Sequence, residues 1–241
     1  MCGRFTLTVQ DVVALAREWA AEVDEALAAG WRPRFNVAPG DRHPVLVADP
    51  EPAARRRLVP ATFGWRGAGE AGFLINARAE TAASLPTFRE AFRARRAAVP
   101  ADGFFEWEGP ASARRPTWFH DGGRTLWFGA LLAARPAFER RSGLAGPERA
   151  GTGEAAAPGS LEFVILTTDA REPVRALHDR MPLLVPPALL DAWLAGPPPP
   201  LPAPSDGALS SRAVSDRVNS VRHDDASCLE PARPPAQRQL F

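Results

Sequence analysis

Ala97-Ala98-Val99-Pro100-Ala101-Asp102-Gly103-Phe104-Phe105-Glu106-Trp107-Glu108 reads as two short strands in quick succession, Ala97–Pro100 and Phe104–Glu108. Runs of the same kind flank it on both sides. Upstream are Cys2–Thr8, Pro44–Ala48, Arg57–Thr62 and Phe73–Asn76; downstream are Thr117–Phe119, Thr125–Leu132, Phe163–Thr167 and Pro182–Val185. Helical spacing is scarcer. Apolar residues recur at helical intervals from Val9 to Ala29, with Thr8 or Asp11 as cap and Gly30 as stop, and again over Thr87–Arg95 and Pro187–Leu194. Many short strands and few helices predict an α+β fold: a single β-rich domain over 1–230, with a barrel-like or strongly curved sheet and a few flanking helices. Three stretches lie outside that pattern. Residues 134–160 are rich in Arg, Gly, Ala and Pro without an apolar period and read as a surface loop. Pro197–Pro204 reads as a polyproline-like spacer, and 231–241 as a flexible tail.

Composition is that of an ordinary globular chain: 241 residues, 45% hydrophobic, 24% charged, net charge +1. A chain so close to neutral does not advertise nucleic-acid binding, so any basic surface must be local. No 18-residue apolar run predicts a membrane span. The opening MCGRFTLTVQ turns polar before a signal-peptide core could form, and two cysteines cannot build a disulfide framework; both point to a cytoplasmic protein. The four histidines, His43, His120, His178 and His223, show no ligand spacing, so neither metal nor cofactor is expected.

The 29 basic residues are all arginine. Without lysine, the α-amine is the one primary amine the chain owns, and a Schiff base could form nowhere else. That directs attention to Cys2. Were Met1 removed, Cys2 would present an amine titrating near about 7.7–8 beside a thiol near about 8.5, both partly available at neutral pH. With an aldehyde, the amine gives an imine, and the thiol closes on the same carbon to form a five-membered thiazolidine. The second attack is intramolecular and therefore strongly favoured.

Four other segments carry polar residues in apolar company: the turn-like Arg34-Phe35-Asn36-Val37-Ala38-Pro39-Gly40, then Asn76-Ala77-Arg78-Ala79-Glu80, Gly103-Phe104-Phe105-Glu106-Trp107, and His178-Asp179-Arg180-Met181-Pro182. Singly, each has an ordinary structural reading as a turn, a strand face or a loop cap.

Taken in order with Cys2-Gly3-Arg4-Phe5, these segments resemble the SRAP family (SOS response-associated peptidases), the abasic-site processing proteins, over Cys2 to about Glu230. The resemblance implies autocatalytic loss of Met1, binding of single-stranded DNA, and a thiazolidine between Cys2 and the ring-opened abasic sugar, with a lyase-type side activity. It places Cys2 as nucleophile, and Asn76, Glu106 and His178 as the other catalytic residues. Arg4 and Arg78 match phosphate contacts, and Asn36, Pro39, Trp107 and Thr167 match further contacts along the DNA path. Val214–Pro231 matches the family's closing segment. The chain is expected to act as a monomer on abasic single-stranded DNA, with the replication machinery open as a further partner. In place of the family's longer Trp-Gly-x-x-Pro-x-Trp stretch this chain has Phe63-Gly64-Trp65-Arg66-Gly67-Ala68-Gly69, which leaves Trp65 open as either a stacking or a core residue. Two alternatives stand beside this reading: a thiol peptidase acting on other proteins, and a non-catalytic single-strand binding module.

Overall fold

The computed structural model of the protein describes residues 2–49, 55–66, 73–110, 113–134, 160–195, 199–200 and 208–232. Most of the expected 134–160 loop and of the Pro197–Pro204 spacer, the tail beyond Ala232, Gly67–Gly69 and Met1 lie outside the described residues. In chain order the elements are β1 (Phe5–Leu7), α1 (Val12–Glu18), β2 (Ala21–Val23), α2 (Glu25–Ala29), β3 (Arg34–Val37), β4 (Arg42–Ala48), β5 (Arg56–Phe63), β6 (Trp65–Arg66), β7 (Phe73–Leu74), β8 (Asn76–Arg78), α3 (Ala79–Ala82), α4 (Arg89–Ala94), β9 (Arg96–Ala101), β10 (Gly103–Glu108), β11 (Arg115–His120), β12 (Leu126–Ala134), β13 (Leu161–Asp169), β14 (Arg180–Pro182), α5 (Leu190–Leu194) and β15 (Ser210–Ala213).

These strands form a mixed α+β architecture dominated by two sheets. One runs β15-β11-β10-β1-β3; the other runs β14-β13-β12-β9-β4-β5-β2, with β8 added beside β13. The larger sheet curls until β5 meets β13 in parallel through Thr62↔Glu162 and Phe63↔Phe163. That contact closes a ring of β5, β4, β9, β12 and β13, held at the seam by only those two residue pairs, so the sheet is ring-like without being a full barrel.

Period-two alternation explains why both faces of the strands are apolar. On β12, Phe128, Ala130 and Leu132 enter the core between the sheets, where Phe5, Phe63, Phe104 and Phe163 also lie. Their neighbours Trp127 and Leu131 face the opposite way, onto a layer built with Leu15, Phe88, Leu190 and Trp193 from the helical segments. On β10, Phe104 joins the first core, while Phe105 packs outward with Trp118, Val214, Val218 and Cys228. The closing segment 214–230 therefore covers the outer face of the five-stranded sheet. Trp118 lies flat across β10 because Gly103 has no side chain; a Cβ there would fall 2.2 Å from the indole Nε1.

Several elements depart from expectation. The apolar stripe over Val9–Ala29 is not one helix: α1 starts on the Asp11 cap and ends at Trp19, Ala20 takes φ +50, and β2 then pairs in parallel with β5 before Asp24 caps α2. Edge pairing to β5 and the packing of Trp19 against Trp127 at 5.3 Å outweigh helix continuation. Arg34–Val37, expected as part of a turn, is β3, and the turn follows at Ala38–Asp41. The Phe73–Asn76 strand is divided into β7 and β8. The strand expected at Pro182–Val185 is centred earlier, as β14, with a single bridge from Leu184 to Phe128. Trp65 packs edge-on against Phe88 at 5.5 Å, in the helix-side layer.

Candidate active site around Cys2

Cys2 lies three residues ahead of the start of β1 and is wholly buried. The main chain beyond it is fixed by β10, since the Phe105 amide donates to the Arg4 carbonyl at 3.0 Å. From the other sheet, Asn76 opens β8, which lies in parallel register with Ile165 of β13. Its Nδ2 donates to the Cys2 carbonyl at 3.2 Å and more weakly to that of Ile165 at 3.4 Å. Its Oδ1 is buried and accepts no hydrogen bond from any described residue. An uncompensated acceptor beside the first residues of the chain costs stability, and it is suited to hold an amine or a sugar hydroxyl.

Glu106 stands on β10, its residue 4% exposed, between the buried ring of Phe105 and the half-buried Trp107. Burial pushes its carboxyl above the ordinary range; the charge of His178 opposes the rise and Asp179 adds to it. The Cys2 thiol is pushed far above its usual value, first by burial and then by the negative charge of Glu106. Cys2, Glu106 and His178 thus share one electrostatic site, with Asn76 bonded to the Cys2 backbone. His178 comes from the loop after the 3-10 turn Val174–Ala176, where its amide donates to the Val174 carbonyl at 2.9 Å. Four separate chain segments converge.

Around this centre the expected DNA contacts fall into two groups. Arg78 ends β8, is exposed, and makes no ion pair among the described residues; Pro39 is exposed at the tip of the turn after β3. The others are engaged internally. Arg4 donates to Asn36 Oδ1 at 2.8 Å and to the Val218 carbonyl at 3.0 Å, with its guanidinium 5.9 Å from the centre of the Trp107 ring. Trp107 Nε1 donates to Asn219 Oδ1 at 2.7 Å. Asn36 is 1% exposed, and its Nδ2 donates to the carbonyls of Val218, Ser220 and His223. Thr167 is 2% exposed and donates to the Ala77 carbonyl at 3.4 Å. Asn36 and Thr167 therefore have no free polar surface of their own: they hold other parts in place.

Two organising residues stand outside the site residues expected from the sequence. Asp224 accepts from Arg34 Nε at 2.5 Å and from the amides of Phe35 and Asn36 at 2.6 and 2.9 Å. Burial alone would raise its carboxyl, but Arg34, the Phe35 amide and Arg32 prevail and hold it below the usual range. Arg180 reaches Asp169 at 2.5 Å, and Glu80 and the Thr167 carbonyl at 2.7 Å each, tying the His178 loop to the Asn76–Glu80 segment. Among the described residues, no cluster of three or more His, Cys, Asp or Glu side chains is disposed to hold a metal ion, and no helix is long and apolar enough to cross a membrane.

Comparison with known proteins places this arrangement. Residues 1–221 match the family model described as SOS response associated peptidase (SRAP). The chain is 31% identical over 199 residues to the abasic site processing protein YedK of Escherichia coli, covering 80% of this chain and 79% of that one. It is 29% identical over 194 residues to the abasic site processing protein YoaM of Bacillus subtilis, covering 77% and 75%. Among solved structures, a Bacteroides thetaiotaomicron protein superposes with TM-score 0.73 at 18% identity, covering 96% of this chain and all of that one. A phage-related protein of Bordetella bronchiseptica superposes with TM-score 0.58 at 27% identity, covering 88% and 94%.

Proposed function

This chain belongs to the SOS response associated peptidase (SRAP) family, and from that premise we propose that it captures abasic sites in single-stranded DNA as a thiazolidine on Cys2, after removing its own Met1. Hydrolysis of the Met1–Cys2 bond consumes one water, releases methionine and leaves the α-amine of Cys2 free. That nitrogen adds to the C1′ aldehyde of the opened sugar, and loss of one water gives the imine. The thiol then adds to the imine carbon, its proton finishing on the ring nitrogen. Because amine and thiol share one residue, the closing step carries an effective concentration of roughly 10⁵ M or more.

The observation that carries this reading is that Asn76 bonds to the backbone of the buried Cys2 while Glu106 acts electrostatically on both its thiol and His178, in a chain without lysine. Glu106, with its carboxyl raised by burial, is suited to take the thiol proton and return it. Asn76 is suited to orient residue 2 and, through Oδ1, its liberated amine. Arg78 grips a backbone phosphate, with Arg4, Pro39 and Trp107 along the strand path. Asn36 and Thr167 act through what they hold, Asn36 through Arg4 and Thr167 through β8. A transient imine also acidifies the neighbouring sugar C–H, which accounts for a lyase-type side reaction. A peptidase acting on other proteins would need a thiolate stabilised by a cation; here burial and Glu106 push the thiol the opposite way.

Cys2→Ser tests the assignment. The wild-type adduct is expected to survive denaturation without a reductant. Cys2→Ser, freed of Met1 by a methionine aminopeptidase so that it bears the amine but no thiol, is expected to leave an adduct only after borohydride reduction, attached at the nitrogen of residue 2. A denaturation-stable adduct at wild-type level in Cys2→Ser would remove the thiazolidine from the account.

A further inference from the structure

Nδ1 of His178 meets two neighbours that differ in kind. Nδ1 lies 2.9 Å from the backbone nitrogen of Arg180 and 3.0 Å from Oδ1 of Asp179. These neighbours make opposite demands. A backbone N–H can only donate and needs a lone pair on Nδ1, whereas a carboxylate would accept from an Nδ1–H. The Arg180 amide keeps its proton at any working pH and is fixed in space. On β14 Arg180 pairs with Asp169 of β13, and its guanidinium, 11% exposed, is held by Asp169, Glu80 and the Thr167 carbonyl. The loop is pinned from both sides, because the His178 amide donates to Val174 and the Ala170 amide to the Asp179 carbonyl, each at 2.9 Å. The Asp179 side chain, by contrast, is 86% exposed, so water serves it equally well.

We infer that Arg180 is a positioning residue that locks neutral His178 in the tautomer carrying its proton on Nε2. The assignment rests on the reading of His178 as part of the capture site, and it divides the chemistry there. With Nδ1 turned back onto its own loop, Nε2 is the nitrogen that serves any partner beyond that loop. A neutral ring in this form donates a hydrogen bond through Nε2–H and has no lone pair there with which to take a proton. His178 therefore steadies an oxygen, of the Glu106 carboxylate or of the sugar, and retains its proton. The base that accepts the thiol proton is Glu106. The same clasp registers His178 against Asn76, since the Glu80 that Arg180 holds lies four residues beyond Asn76.

Long-range proton–nitrogen correlation NMR on the ¹⁵N-labelled full chain reads the tautomer directly, at a pH well above the ordinary imidazole value of about 6.5. His178, identified by its disappearance in His178→Gln, is expected to show a protonated-type nitrogen at Nε2 and an unprotonated one at Nδ1. The reverse pattern, or an even mixture, overturns the inference from the wild-type spectrum alone. Arg180→Gln keeps the amide but loses the clasp. It is expected to mix the tautomers and slow adduct formation by up to roughly 100-fold, the cost of a misplaced group, with affinity for an intact strand little changed. A variant that keeps both the wild-type tautomer and the wild-type rate overturns the role of the guanidinium. If the wild type shows the Nε2–H form yet never bonds to abasic DNA, the tautomer assignment stands and the capture reading falls.

Discussion

Replacing Asn36 separates a residue that binds from one that holds. Its side chain makes four hydrogen bonds: it accepts one from Arg4 at 2.8 Å and donates to the carbonyls of His223, Ser220 and Val218 at 2.7, 3.1 and 3.3 Å. The two amide hydrogens cannot fully serve three acceptors, so the two shorter donated bonds and the charged one from Arg4 matter most. A bond of this kind contributes about 1 kcal/mol, and one to a charged group about 1.5–3 kcal/mol. Water reaching the half-buried carbonyls recovers part of the loss, which leaves about 3 kcal/mol for Asn36→Ala. For a chain of this length that is a fall of about 6–12 °C in melting temperature. Asn36→Asp is nearly isosteric, yet it sets a carboxylate oxygen against those carbonyls. It is expected to cost at least as much as alanine at neutral pH, in spite of its closer shape. Urea melts of the three proteins, read as shifts in midpoint at constant slope, give the comparison. An alanine variant within about 0.5 kcal/mol of wild type, or an aspartate variant more stable than it, would refute the clamp.

Glu106→Gln is expected to slow adduct formation by about 100-fold or more, the lower end for losing a proton shuttle, and to erase the acid limb of the wild-type rate profile; a variant that reacts at wild-type speed would exclude Glu106 as the base. The same variant should be more stable than wild type at neutral pH. The folded pKa of Glu106 is raised above its unfolded value, so the unfolded chain binds fewer protons in between, and stability drains as pH rises through that window. The gain should vanish below the ordinary carboxylate range, and a pH-independent difference between the melts would contradict it. His43 works with the opposite sign. It is fully buried with Nε2 on the Pro100 carbonyl at 2.8 Å, and burial depresses its pKa to about 3. The unfolded chain therefore binds the extra proton, and stability falls as pH drops from about 6.5 towards 3, by at most about 5 kcal/mol. His43→Gln should flatten that slope, and an unchanged acid melt would rule out His43 as its source.

Legibility in the sequence tracked the range of the forces involved. β10 was readable because alternation is local: Phe104 and Phe105 face opposite cores, as period two requires. The break after α1 was not, because Trp19 and Ala20 carry no helix-stopping residue and the cause is an edge pairing to β5, more than thirty positions on. Arg34–Val37 looked like a turn because Pro39 and Gly40 follow it, and only pairing with β1 makes it a strand. At the site, Cys2 was marked by its own amine and thiol, while Asn76, Glu106 and His178 lay in segments with polar residues in apolar company and were joined only by the family resemblance; Cys2, Glu106 and His178 share one electrostatic environment beside Asn76. Asp224 could not be found that way, since the groups it binds lie 188 to 192 positions earlier. Nor could the burial of Asn36 and Thr167, whose side chains donate to partners 182 to 187 and 90 positions away along the chain.

Intact mass spectrometry of the purified protein, alone and after mixing with a single-stranded oligonucleotide bearing one abasic site, bears most directly on Cys2. The account predicts a chain lacking its first methionine that gains the full oligonucleotide mass less one water, with peptide mapping placing the link on residue 2. A chain that retains Met1 and gains no mass from the lesion strand would contradict it.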